Sequence, residues 1–323
     1  MDTLNRLRNL ASALPIVVLL AISLLAACSS DELPDPANRG EYGVGVTERT
    51  FIRISNTTGE PRPLETVIWY PIDQTGNTEP VDDAPPATGG GPFPVLTFSH
   101  GDGNEPRHAS YFTEHLASWG FVVIAPPHPG NTKDDCPCTD ESKIDSLLNR
   151  VPDITFALDS VLALRDDPSE PLGSVIDSGR LGATGYSFGG LTSIAAAPEG
   201  RFDVIVALAP GAPTLLFDAA AGTRIPVFVA GAGNDDVVDP LALRQVYDTF
   251  PSDIPSYLLF VPEAGHHIFR DECARLCDFS QDRAHELINR YVTAFLLTHL
   301  LDDSRYAVYL EDAELPDARL FAN

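Results

Sequence analysis

Arg180-Leu181-Gly182-Ala183-Thr184-Gly185-Tyr186-Ser187-Phe188-Gly189-Gly190-Leu191 decides the fold. A short apolar run ends at Gly185, Ser187 stands at a turn, and the small residues from Gly189 to Ala197 predict a helix. That is G-x-S-x-G in a strand-turn-helix setting. The turn holds its serine in a strained backbone conformation, and the flanking glycines let strand and helix approach each other closely. With 24 glycines in the chain, the five-residue pattern needs independent support. A serine hydroxyl is a poor nucleophile until a histidine takes its proton, and the histidine needs a carboxylate to fix its tautomer. On such a scaffold the three follow in the order Ser, Asp, His, each just after a later strand.

Both partners are in place. An apolar strand over 225–230 runs into Gly231-Ala232-Gly233-Asn234-Asp235-Asp236-Val237-Val238-Asp239-Pro240, a loop rich in acids. A strand over 257–261 runs into Pro262-Glu263-Ala264-Gly265-His266-His267-Ile268-Phe269. Upstream, 44–54 and 64–70 alternate as an antiparallel hairpin about Asn56-Thr57-Thr58-Gly59. The run Pro94-Val95-Leu96-Thr97-Phe98 predicts a strand buried on both faces, and it leads into Ser99-His100-Gly101-Asp102-Gly103. A helix over 108–119, a strand over 121–125, a helix over 152–164 opened by Pro152 and a strand over 204–208 follow. Strands alternating with helices mean a mostly parallel sheet. Residues 126–146 show no period and read as an insertion at the carboxyl end of the sheet, where open α/β folds place their sites. Ser280 caps a final helix running to about Leu301, and 302–323 reads as an acidic tail.

Composition limits the partners. The chain of 323 residues carries a net charge of −25, a surface that repels phosphate backbones and argues against nucleic acid. Arg6 and Arg8, the apolar run from Leu14 to Leu25, and Leu25-Ala26-Ala27 before Cys28 resemble a bacterial lipoprotein leader. That resemblance implies cleavage before Cys28, a lipid on its sulfur, a polar tether, and residence in the bacterial cell envelope, at the outer membrane or its periplasmic face. Four further cysteines, Cys136, Cys138, Cys273 and Cys277, suit two disulfides in an exported chain. Cys136 and Cys138 are close in sequence, so the expected bonds join one pair to the other. A four-thiolate zinc site is the alternative.

Taken in order, Ser99 to Gly103, Leu116-Ala117-Ser118-Trp119-Gly120-Phe121-Val122-Val123, Pro152-Asp153-Ile154 with Leu158-Asp159, the Ser187 turn, and Gly265 to Phe269 resemble the α/β-hydrolase superfamily. The likeness is to its branch of platelet-activating-factor acetylhydrolases and predicted dienelactone hydrolases, over residues 93–300. It implies an α/β-hydrolase fold with an antiparallel N-terminal hairpin and helices on both faces. The layout expected is a leader over 1–27, a tether over 28–43, one catalytic domain over 44–301 and a tail over 302–323. By position, Ser187 is the nucleophile, His266 the base with His267 as its rival, and Asp236 the acid with Asp235 as fallback. Asp239 is expected to cap a helix. The oxyanion donors are the amides of Phe188 and Asp102, with Gly103 as substitute. His100 is expected to be structural, and His128 to line the substrate mouth or pack in the core. The resemblance implies a monomeric serine ester hydrolase without cofactor or metal, working through an acyl-enzyme on small esters or short-acyl phospholipids. A polyester or cutin hydrolase, a peptidase and a silent binding lipoprotein are the other readings.

Overall fold

Alternating apolar residues give the described chain two long opening strands, β1 (Gly43–Ile54) and β2 (Pro61–Ile72), paired antiparallel from Gly43 opposite Ile72 to Ile54 opposite Pro61. The computed structural model describes residues 33–74, 76, 79–211 and 213–323, so the leader and Cys28 lie outside it. The strands β3 (Val81–Asp82), β4 (Phe93–Ser99), β5 (Val122–Ala125), β6 (Ile176–Tyr186), β7 (Val204–Leu208), β8 (Val227–Ala232) and β9 (Ser256–Val261) follow. The last two are β10 (Ala313–Glu314) and β11 (Arg319–Ala322). Together they form an eleven-stranded sheet among the described residues, in the order β10-β11-β9-β8-β7-β6-β4-β5-β2-β1-β3. The centre, from β5 through β4 and β6 to β9, is parallel. Every residue of β4, β5 and β7 is buried, as strands covered on both faces must be.

The helices are α1 (Ser110–Ser118), α2 (Asp140–Leu162), α3 (Phe188–Ala196), α4 (Phe217–Gly222), α5 (Pro240–Tyr247) and α6 (Gln281–His299). One face of the sheet buries Val95, Ala183, Ile205, Val229 and Leu258 beneath Ile154 and Leu158 of α2, Ile194 of α3 and Val246 of α5. On the other, Phe295 of α6 meets Phe228 at 5.7 Å between ring centroids, and α1 packs beside α6. This is the expected α/β-hydrolase architecture, hairpin included.

Three expectations fail. The 126–146 segment is not loop throughout: α2 starts at Asp140, capped by Thr139, whose hydroxyl accepts from the Ser142 N–H, and Pro152 lies inside the helix. The face of that first half buries Ser146, Asn149 and Arg150, so no apolar stripe announces it. The acidic tail is structural: β11 adds an antiparallel strand to β9, and Tyr306, Leu310 and Leu320 are buried. The second half of the expected tether is also docked. Asp35 pairs with Arg290 at 2.9 Å, the Trp119 indole donates to the Asn38 carbonyl, and Tyr42 packs edge-on to Phe93.

His100, His108, His115 and His128 are buried, and desolvation pulls all four below the usual histidine range, His108 and His115 to about 3. With the folded pKa depressed, the unfolded chain takes up these protons first. The stabilisation they permit is therefore complete above pH ~6.5 and is lost as pH falls towards the folded values. Each such group contributes a slope of about 1.4 kcal/mol per pH unit. In chemical unfolding between pH 6 and 5, His115→Gln is expected to flatten the pH dependence by about one proton relative to wild type. An unchanged slope would mean that His115 is not held neutral.

Candidate active site

Ser187 is the N-cap of α3 and has φ 54°, ψ −116°. A serine adopts that conformation only under constraint from the residues around it, and here two glycines make it possible. A Cβ on Gly189 would lie 1.7 Å from the Ser99 carbonyl oxygen, and one on Gly185 2.3 Å from that of Gly189. The strained turn lifts the hydroxyl above the carboxyl ends of β6 and β7, and Ser187 as a whole is 8% exposed.

His266 arrives on the loop after β9, at the start of a short 3-10 turn, and its Nε2 lies 2.9 Å from Ser187 Oγ. Its Nδ1 lies 2.7 Å from Asp235 Oδ2 on the loop after β8. A carboxylate only accepts, so Nδ1 carries the proton and Nε2 is free to accept from the serine hydroxyl. Both side chains are almost wholly buried. The other Asp235 oxygen, Oδ1, accepts the N–H groups of Val237 and Val238 at 2.8 and 2.7 Å, which fixes the carboxylate in its loop.

The acid facing the histidine is thus Asp235, and the expectation of Asp236 is corrected. Consecutive residues of this turn point opposite ways, so Asp236 faces outward and pairs with Arg275 at 2.6 Å. Counting four residues back from Pro240 gives Asp236, whereas the acid that meets the histidine stands five residues back. The local signal that separates the two is a turn in which the Asp235 side chain accepts the amides two and three residues on. Asp239 caps α5 as expected, accepting from the Leu241 N–H. His267 stands 5.5 Å from His266, ring to ring, and does not reach Ser187.

The cysteines also depart from expectation, because Cys136 bonds Cys138 and Cys273 bonds Cys277. Each bond closes a small local loop instead of tying the two segments together. As disulfides, the four sulfurs offer no thiolates to zinc. The second ring carries Arg275, the partner of Asp236.

Asp102 and Phe188 line one cleft of about 350 Å³ with Ser187. The Asp102 carboxylate is occupied elsewhere, accepting from Asn131 Nδ2 at 2.7 Å and pairing with Lys143 at 3.0 Å. Its charge is thereby held off the place where an oxyanion would form. Gly103, with φ +59°, faces Cys136 instead, and it does not line the cleft. His128 is fully buried: Nδ1 faces Asp153 Oδ2 at 2.9 Å and Nε2 faces Ser99 Oγ at 2.8 Å. It packs in the core and lines no substrate mouth. His100 is structural, as expected. Beyond Lys143, the remaining walls of the cleft are Ile144, Leu147, Leu191, Gly211, Leu215 and Val237.

A family model described as PETase, PET hydrolase-like, matches residues 86–320. Cutinase 2 of Thermobifida cellulosilytica is 26% identical over 219 residues, covering 68% of this chain and 72% of its own length. A cutinase of Thermobifida fusca (strain YX) is 27% identical over 308 residues, 93% of this chain and 85% of its own. In fold the chain is similar to the ferulic acid esterase of Streptomyces cinnamoneus, with TM-score 0.64 and 23% identity over 81% of this chain and 91% of that one. With a serine, histidine and aspartate in contact at the ends of three parallel strands and a family match over most of its length, the chain belongs to the PET hydrolase-like family of the α/β-hydrolase superfamily.

Proposed function

We propose that this serine carboxylic-ester hydrolase uses Ser187, His266 and Asp235, and that it acts on apolar esters presented at a surface, cutin-like polyesters among them. His266 Nε2 takes the Ser187 proton while Oγ attacks the ester carbonyl carbon. The N–H groups of Phe188 and Asp102 receive the oxyanion. Asp235 stays ionised and stabilises the imidazolium. Collapse of the tetrahedral species expels the alcohol, which leaves with the proton from His266. Water, deprotonated by the same nitrogen, then attacks the acyl-enzyme and the acid departs.

The observation that carries the substrate reading is the apolar rim. Ile144, Leu215 and Val237 line the cleft beside Ser187 and are each more than half exposed, and Leu148 continues the rim one helical turn from Ile144. Exposed apolar side chains gathered at one mouth mark a binding face, and relatives named cutinase support an ester of that kind. Short-acyl phospholipids are the second reading, favoured by the cation of Lys143 on the same cleft wall. A leader over 1–27 and a lipid on Cys28 would place the enzyme, as a monomer, on the bacterial envelope.

Purified enzyme is expected to be labelled by a fluorophosphonate on the peptide bearing Ser187, to hydrolyse p-nitrophenyl esters of short and medium acyl length, and to release acid from a polyester film. Absence of both label and turnover would overturn the esterase reading. Rapid turnover of a short-acyl phospholipid with the film left intact would replace the polymer by the lipid.

A further inference from the structure

Arg150 of α2 is 1% exposed, yet none of its five N–H donors meets a carboxylate. Nε donates to Ser146 Oγ at 3.1 Å. One terminal nitrogen donates to Ser99 Oγ at 3.2 Å and to the His100 carbonyl at 2.6 Å. The other donates to the Gly101 carbonyl at 3.3 Å and to Asn131 Oδ1 at 2.7 Å. Burial draws the guanidinium down to about 9, against the nearby charges of Asp153 and Asp102, so it is a cation at neutral pH. A buried ion costs stability that an apolar side chain of similar size would not. The geometry it imposes is the informative part.

Two of these five acceptors are the carbonyls of His100 and Gly101, which precede Asp102. In a trans peptide the N–H points opposite to the carbonyl, so anchoring the Gly101 oxygen inward turns the Asp102 N–H the other way. A second donor agrees: His100 Nδ1 lies 2.8 Å from the same Gly101 oxygen, while its Nε2 accepts from the His128 N–H at 3.0 Å. That acceptor role fixes the Nδ1-protonated tautomer of His100. Asn131, gripped by Arg150 through Oδ1, uses Nδ2 to hold the Asp102 carboxylate aside. The guanidinium also lies 4.2 Å above the Phe188 ring. A single side chain therefore touches the residue on one side of the cleft and fixes the peptide on the other.

We propose that Arg150 is a positioning residue for the oxyanion site, orienting the Gly101–Asp102 peptide so that its N–H faces the tetrahedral oxygen. This rests on the ester-hydrolase reading above. Loss of one oxyanion donor reduces turnover by roughly 10²–10³-fold. In Arg150→Met, kcat per active site titrated at Ser187 is expected to fall about 100-fold with KM within threefold of wild type. The affinity for a trifluoromethyl ketone, which adds to Ser187 as an oxyanion, is expected to weaken in parallel. Arg150→Lys keeps the charge and loses the fork, and is expected to lose about tenfold or more in both quantities. A role in folding alone would lower thermal stability and the number of titrated sites, and would leave turnover per site unmoved. In ¹⁵N-labelled wild type, the Asp102 amide is expected to shift downfield as the ketone binds. Turnover per site within threefold in a folded variant, a fall in kcat without weaker ketone binding, or an unmoved Asp102 amide would each overturn the proposal. A wild type that neither cleaves esters nor binds the ketone would instead remove the reading beneath it.

Discussion

Ser187→Ala is expected to lower ester turnover by about 10⁶-fold and to abolish fluorophosphonate labelling. In the proposed mechanism the Ser187 oxygen is the atom that is acylated, and the 2.9 Å contact with His266 is its route to deprotonation. Alanine leaves the glycine-lined turn unchanged, since the crowding at Gly185 and Gly189 involves backbone oxygens and not the serine side chain. The variant should fold and unfold like wild type, because one hydrogen bond at a slightly exposed site is worth about 1 kcal/mol. What activity survives would come from the oxyanion site and the cleft alone. The check is turnover of a p-nitrophenyl ester beside mass spectrometry of the labelled protein. A fall of less than about 100-fold, or label retained at another residue, would place the nucleophile elsewhere.

The second large effect separates adjacent aspartates. Asp235→Asn is expected to cost about 10⁴ in kcat, and Asp236→Asn less than about threefold. An asparagine at 235 can still accept the Val237 and Val238 amides through its oxygen, so the loop survives. Its NH₂ would then face His266 Nδ1 and favour the tautomer with the proton on Nε2, which cannot accept from Ser187. Asp236→Asn breaks an ion pair with Arg275, whose side chain is 67% exposed, and such pairs contribute little. Steady-state kinetics of the two variants side by side decide the matter. Equal losses would return Asp236 to the site.

Ser187 and His266 are legible in the sequence because each follows an apolar strand, Ser187 directly after β6 and His266 on the loop after β9, and strand ends announce themselves by composition. The choice between Asp235 and Asp236 is not. It depends on which way one residue of a turn faces, and the two are chemically identical. The start of α2 was hidden for a different reason. Sequence periodicity reports apolar burial, whereas Ser146, Asn149, Arg150 and Asp153 bury a polar face. Asp153 alone receives Arg53, Arg62 and His128. The same blind spot covered β11, which joins the sheet through backbone pairing and carries one fully buried side chain, Leu320. The disulfides depart from expectation because neighbouring cysteines bond each other, Cys136 to Cys138 and Cys273 to Cys277.

The docking of Asp35 on Arg290 fixes how far a lipidated enzyme could travel. From Cys28 to that contact the chain has seven residue steps, which fully stretched span about 25 Å. An acyl anchor on Cys28 would therefore keep the whole catalytic body on a short leash, grazing the envelope surface.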